Sequence, residues 1–160
     1  MGRMYVAEFA NVAVTAQQDF FEVAAPADAI VVIHSWALYQ DTEVGDAAEE
    51  GLQVLEKRGE GSVTSGLGGS TPTARPLEKG DPAFGGTVEA NNTTKMAVGT
   101  GAIVGQGAYA WNVRVPLERV YTPEERRVVS PSDRWTLELA KTPTDSITMS
   151  GWVIVEEVGG

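Results

Sequence analysis

Ile30-Val31-Val32-Ile33-His34-Ser35-Trp36-Ala37-Leu38-Tyr39 is the stretch that decides the fold. It is rich in β-branched and aromatic residues, has no glycine or proline, and is too short for a long helix, so it reads as a strand. Side chains two apart share a face of a strand. Ile30, Val32, His34, Trp36 and Leu38 therefore point one way and Val31, Ile33, Ser35, Ala37 and Tyr39 the other, and both sets are largely apolar. That pattern predicts a central strand buried on both sides. The stretch Ser146 to Val158 behaves similarly, with Ile147, Met149, Gly151, Val153 and Val155 on one face and Thr148, Ser150, Trp152, Ile154 and Glu156 on the other. Gly151 is expected to mark a bulge or bend there.

Working outward, the same two-residue period gives strands at Met4 to Phe9, Asn11 to Ala16, Asp19 to Ala24, Leu52 to Arg58, Thr87 to Val98, Tyr109 to Val115, Val128 to Val129 and Trp135 to Ala140. Pro26, Pro116, Pro123, Pro131 and Pro143 fall between them, where a residue without an N–H ends a ladder. Only Thr42 to Leu55 has a helical composition, and Gly45 and Gly51 restrict it to a turn or two. The expectation is an all-β antiparallel sandwich or barrel. Residues 59–86 hold eight glycines and three prolines and lose the period, which predicts a long extended loop or arm. A second glycine-rich patch, Gly99 to Gly107, reads as a flexible connector.

At 160 residues the chain fits a single domain, residues 1–160, with residues 1–5 as an N-terminal arm. The absence of cysteine removes disulfides, thiolate catalysis and cysteine zinc sites. A net charge of −10 argues against binding nucleic acid through its phosphates. The charge is lopsided: residues 1–56 carry ten acids against Arg3, a net of −9, and the remainder is nearly balanced. No apolar run is long enough to span a membrane, and the start of the sequence predicts no export signal.

One histidine, His34, limits general-base and metal chemistry, and no Gly-x-Ser-x-Gly elbow accompanies it. A packed strand histidine is the expectation. A histidine-rich cupin metal site cannot be built, and no cofactor is implied. Carboxylate pairs such as Glu49/Glu50, Glu124/Glu125 and Glu156/Glu157 point to opposite faces if on strands, and are expected at solvated edges. The acids from Asp41 to Glu50 have the oxygen chemistry for calcium without the spacing of an EF-hand. Arg119, Arg126 and Arg127 cluster, and such forks suit carboxylates of a neighbouring subunit or of the same one.

The runs Gln17 to Asp28 and Val32 to Gln40, the Gly-Ser-Thr-Pro arm at 66–76 and the ending Ser150 to Glu157 together resemble small capsid decoration proteins of tailed bacteriophages, also called cement or head-stabilising proteins. The resemblance implies a jelly-roll β-sandwich and a non-enzymatic protein on the outer surface of the virion, assembled in the host cytoplasm. It also implies the major capsid protein as partner and a homotrimer as the assembled form. Extended chain can dock along a neighbour's sheet edge, so the expected interface residues are Met4 and Tyr5 of the N-terminal arm, Gly66, Gly68, Thr71, Pro72, Arg75 and Pro76 of the loop, and Arg126 and Arg127. A tail- or fibre-associated module that binds protein or carbohydrate is the nearest rival, and a carboxylate-based hydrolase a more distant one.

Overall fold

A computed structural model describes residues 2–41 and 50–159, and within them every regular element is a strand. In chain order these are β1 (Arg3–Val14), β2 (Gln18–Ala24), β3 (Ala29–Gln40), β4 (Gly51–Glu60), β5 (Val63–Thr64), β6 (Arg75–Pro76), β7 (Thr87–Asn92), β8 (Ala97–Val98), β9 (Ala102–Asn112), β10 (Leu117–Val120), β11 (Arg127–Val129), β12 (Arg134–Leu139) and β13 (Ile147–Gly159). The front sheet runs β10-β3-β13-β1-β6, with β11 continuing β10 along β3. The back sheet runs β7-β2-β12-β4-β9, and β5 with β8 forms a two-stranded flap.

All pairings are antiparallel and they nest: β1 with β13, β2 with β12, β3 with β10 and β11, β4 with β9. Strands β1 to β4 alternate between the sheets and their partners return in reverse order, as a long ribbon rolled on itself would require, which is compatible with a jelly roll. The core between the sheets joins Tyr5, Phe9, Ile33, Trp36, Leu38, Met149 and Val153 of the front to Phe20, Phe21, Val54, Trp135, Leu137 and Leu139 of the back. Phe9 links them directly, 6.2 Å from the Phe20 ring and 5.1 Å from that of Phe21.

Bulges account for most departures from simple alternation. Strand β3 is buried on both sides only from Ser35 to Leu38; before that Ile30, Val32 and His34 are half-buried on the outer side. Its register against β13 slips between Ser35 and Ile33, leaving His34 as the extra residue. The slip reverses the parity of the strand, so Val31 and Ile33 before it and Trp36 and Leu38 after it all enter one core. Asn11–Ala16 is not a separate strand: β1 continues through a bulge at Ala10 and Asn11, where Asn11 takes φ 54 and its N–H donates to Ser150 Oγ at 3.1 Å. Gly151, paired with Phe9 just before the bulge, lies in regular register, and a Cβ there would come within 2.8 Å of the Ala37 carbonyl oxygen. The residue is glycine for close packing.

Residues 3–5 are not a free arm. Arg3, Met4 and Tyr5 pair with Glu157, Glu156 and Val155, and β6 pairs with Tyr5 and Val6 from the other side. The 59–86 segment is likewise tied to its own chain through β5, β6 and bridges from Leu67 to Thr94 and Ser70 to Ala90. An extended segment satisfies its backbone on the nearest open edge, and here that edge is intramolecular. The expected Thr87–Val98 strand ends at Asn92, and β8 belongs to the flap. The glycines 105 and 107 stand within β9, beside β4, and β9 ends at Asn112 rather than Val115. β10 lay outside every expected strand. Gly51 to Leu55 is strand rather than helix; positions 42–49, with most of the expected helix and the acidic cluster, lie outside the described residues.

Candidate interaction surface

The two sheets turn opposite chemistry outward. Core residues Trp135, Leu137 and Leu139 fix the parity of the back sheet, so its outward rows are Arg134 beside Gly59, then Glu22, Thr136 and Lys57, then Asp19, Glu138 and Leu55. This charged face is not in water. Residues 61–70 and 93–100, which include β5 and β8, lie over it and bury Glu22, Asp19, Thr136 and Glu138.

The flap is held by those charges. Glu22 accepts from Arg134 Nη1 at 2.7 Å, from Ser65 Oγ at 2.8 Å and from the Gly66 N–H at 2.8 Å. Asp19 accepts from the Met96 N–H at 2.7 Å, and Glu138 is gripped by Lys57 and, at 3.0 Å, by Lys95. Hydrogen bonds to an ionised acceptor are the strong kind, and losing one partner here strands a charge out of water. Burial pushes the Asp19 carboxyl up to about 7, with Glu138 and Glu22 adding to the rise against the Met96 N–H and Lys57.

A further carboxylate is buried within the sandwich. Glu56 accepts from Trp36 Nε1 at 2.8 Å, Arg127 Nε at 3.1 Å and the Tyr109 hydroxyl at 3.2 Å. Burial first, and the Glu56 charge second, raise the Tyr109 hydroxyl above its usual pKa. The set ties β3 to β4 across the two sheets. It is a closed structural network, with each donor committed.

The front sheet is the reverse. Its registers place Val128, Val32, Glu156 and Met4 in one outward row, then Val120, Ser35, Ile154, Val6 and Arg75, then Glu118, Ala37, Trp152 and Glu8. Ile30 and Val158 pair at one end and Tyr39 and Ser150 at the other, where Trp152 Nε1 donates to the Tyr39 hydroxyl at 3.2 Å. Among the described residues no further layer of strands covers this face. A groove of about 490 Å³ crosses it, lined by Met4, His34, Leu77, Arg126 and Glu156 among others. His34 Nε2 and Glu156 Oε2 are 2.7 Å apart at its floor, so the one histidine is a hydrogen-bonded strand residue. Arg126 makes no ion pair among the described residues, and its Nε is buried without a partner.

The expected interface residues divide accordingly. Met4 and Arg126, far apart in sequence, line one groove on the front sheet, while Pro72 and Arg75 line a separate 350 Å³ slot beside Val6 and Glu8 at its β1 edge. Tyr5 is fully buried against Phe84, its hydroxyl donating to the Pro82 carbonyl at 3.2 Å. Pro76 opposes Tyr5 in the ladder; Gly66 is buried on Glu22; Gly68 and Thr71 are exposed.

Arg127 is corrected from a free interface residue to an internal one. It bonds Glu56, donates to the carbonyls of Glu125 and Gln106, and sits 4.9 Å over the Tyr121 ring. Arg119 pairs with Glu125 at 3.0 Å. Glu157, expected at a solvated edge, is buried and accepts from the Gly85 N–H at 2.7 Å. Asp41 and Glu50, the described ends of the acidic cluster, bond Ser150 and Thr144. Among the described residues no three His, Asp or Glu side chains gather as a metal site.

Sequence reading missed the front face as a surface, although the alternation Trp152, Ile154 and the outward Met4 and Val6 carried the signal. No protein-family model, no curated protein and no solved structure matches the chain.

Proposed function

We propose that the protein is a structural, non-enzymatic decoration protein that coats the outer surface of a tailed-phage head and braces contacts between major capsid subunits. One observation carries the reading: the most developed surface feature is a broad apolar sheet face, and the ionised groups that a hydrolase would need in a cleft are instead locked in structural pairs. Exposed apolar patches of this size mark sites of protein association. The arm supplies a second contact region, since Leu67 and Leu77 are more than half exposed on segments pinned to the sandwich. A pinned loop loses little entropy on docking, and repetition over a lattice turns modest contacts into firm attachment.

The test is co-sedimentation of the purified protein with expanded heads that lack it, at low and high salt. Saturation at a fixed copy number and a rise in the force or temperature at which the heads open are the expected results. Indifference to heads, together with binding to a glycan or an isolated tail protein, would replace this reading with that of a tail or fibre module.

A further inference from the structure

We propose that the flap over the back sheet is a latch that takes up one proton on Asp19 when it closes, so that acid holds it shut and neutral pH loosens it. The flap is one unit. Its two segments are joined by the pairing of β5 with β8 and by the backbone hydrogen bonds that Leu67 and Thr94 exchange. One end is held on β7, where Ser70 and Ala90 exchange backbone hydrogen bonds. Its other ties to the back sheet run to carboxyl groups: Ser65 and Gly66 donate to Glu22, Met96 to Asp19, and Lys95 to Glu138. Met96 alone buries an apolar side chain among the flap residues. With so little apolar area to hold it, closure depends on the charge state of the carboxyls beneath.

Asp19 differs from the other carboxyls under the flap. Glu22 has Arg134, and Glu138 has both Lys57 and Lys95, whereas Asp19 pairs with no cation among the described residues. Its Oδ2 accepts from the Met96 N–H, and its Oδ1 is buried without a partner. Strand register sets it against Glu138 on β12 and Asn92 on β7, with Glu22 on its own strand. The charged groups around it are therefore Glu22 and Glu138 with their cations Arg134, Lys57 and Lys95, and Glu89 of β7, which shares Ser65 with Glu22. A carboxyl shut out of water beside two carboxylates, with no cation of its own, is held neutral. Burial first, and then Glu138 and Glu22, lift its pKa from 3.8 to about 7 against the Met96 N–H and Lys57. Lifting the flap returns Asp19 to water, where it gives up the proton at any pH above the ordinary carboxyl range. Opening is therefore favoured more with each unit of pH between about 4 and about 7, and levels off above that.

The latch belongs to the chain itself and does not depend on the partner proposed above. Hydrogen exchange of the full chain, corrected for the intrinsic rate at each pH, tests it. The Gly66 and Met96 amides donate to different carboxyls, Glu22 and Asp19. Their protection is expected to fall together from about pH 5 to about pH 7, by up to about tenfold per unit, the limit for one proton. Val153 and Leu137, in the core, stay far better protected throughout, which separates opening of the flap from unfolding. Asp19→Asn keeps an oxygen for the Met96 N–H and cannot ionise, so the flap of that variant is expected to lose the pH dependence. In the parent, the NMR shift of the Asp19 carboxyl carbon is expected to titrate near pH 7, a readout that needs no variant to fold. An Asp19 that titrates near its ordinary value, a pH dependence that the Asn variant keeps, or Gly66 and Met96 amides that exchange only at the rate of the core would each overturn the inference.

Discussion

The back sheet hides its charges and the front sheet shows its apolar side chains, the opposite of what composition alone would assign to two faces of one sandwich. The difference follows from where the chain invests its non-sheet residues. Positions 61–70 and 93–100 are short, polar and glycine-rich, with few apolar side chains of their own to bury, and they attach to the back sheet through the carboxyl groups of Glu22 and Asp19. The front sheet has no second layer of strands over it among the described residues, only Leu77, Glu78, Asp81 and Arg126 beside Met4 and His34, and its outward positions mix Val6, Val32, Trp152 and Ile154 with Glu8, Glu118 and Glu156. A buried charge held by donors and an exposed apolar field are both costs to an isolated chain. The first is met within the molecule.

Breaking the charged layer has the largest expected effect. Arg134→Met leaves Glu22 buried with only neutral donors, and urea unfolding is expected to show a loss of about 3 kcal/mol. Adding Glu22→Leu to that variant should restore most of the loss, because an apolar pair carries no desolvation penalty. If the single variant were as stable as the parent, the charges would be bystanders to the flap.

Next is the backbone contact that seats the flap. A Cβ on Gly69 would collide with the carbonyl oxygen of Ala90 on β7, a rigid neighbour. Gly69→Ala is expected to cost about 1–3 kcal/mol and to speed hydrogen exchange at Gly66 and Met96 while core amides stay protected. Uniform protection across both regions would argue that the flap is not a separate layer.

Asp19 sharpens the comparison through pH. Its folded pKa is raised from 3.8 to about 7, so between those values the folded chain holds a proton that the unfolded chain has released. Its contribution is therefore fully present below about pH 4 and is lost as pH climbs through about 7. Asp19→Asn should leave stability unchanged near pH 4 and raise it by roughly 1–2 kcal/mol near pH 8, read from thermal unfolding at the two values. An equal effect at both would remove titration as the cause. The smallest effect belongs to the apolar face: Ile154→Thr is expected within about 0.5 kcal/mol of the parent in urea unfolding. A large loss there would show that the face is already covered within one copy.

The strand content of the fold was legible because alternation survives from Ile147 to Val155 and because β-branched and aromatic residues crowd the other segments. Bulges were not, because one inserted residue leaves composition untouched while reversing every later side chain. His34 shows this most plainly: without the slip beside it, Trp36 could not share a core with Ile33. Strand β9 was hidden by Gly105 and Gly107, which lower β propensity yet sit comfortably on an edge beside β4. Of the candidate surface, Met4, Arg75 and Arg126 were chosen as separate guesses, and Tyr5 and Arg127 were chosen wrongly, since neither burial nor an internal partner is written in local sequence.

The sequence by itself determined the all-β class, the lack of thiol chemistry and a histidine confined to a strand, all properties of local period and residue type. Tertiary structure alone decided the bulge parities, the flap over the back sheet, the burial of Glu22, Glu56 and Asp19, and the open front face. Each of those depends on which residues meet across dozens of positions, as Glu22 and Arg134 do, and long-range pairing is chosen by total burial and hydrogen-bond satisfaction rather than by neighbours along the chain.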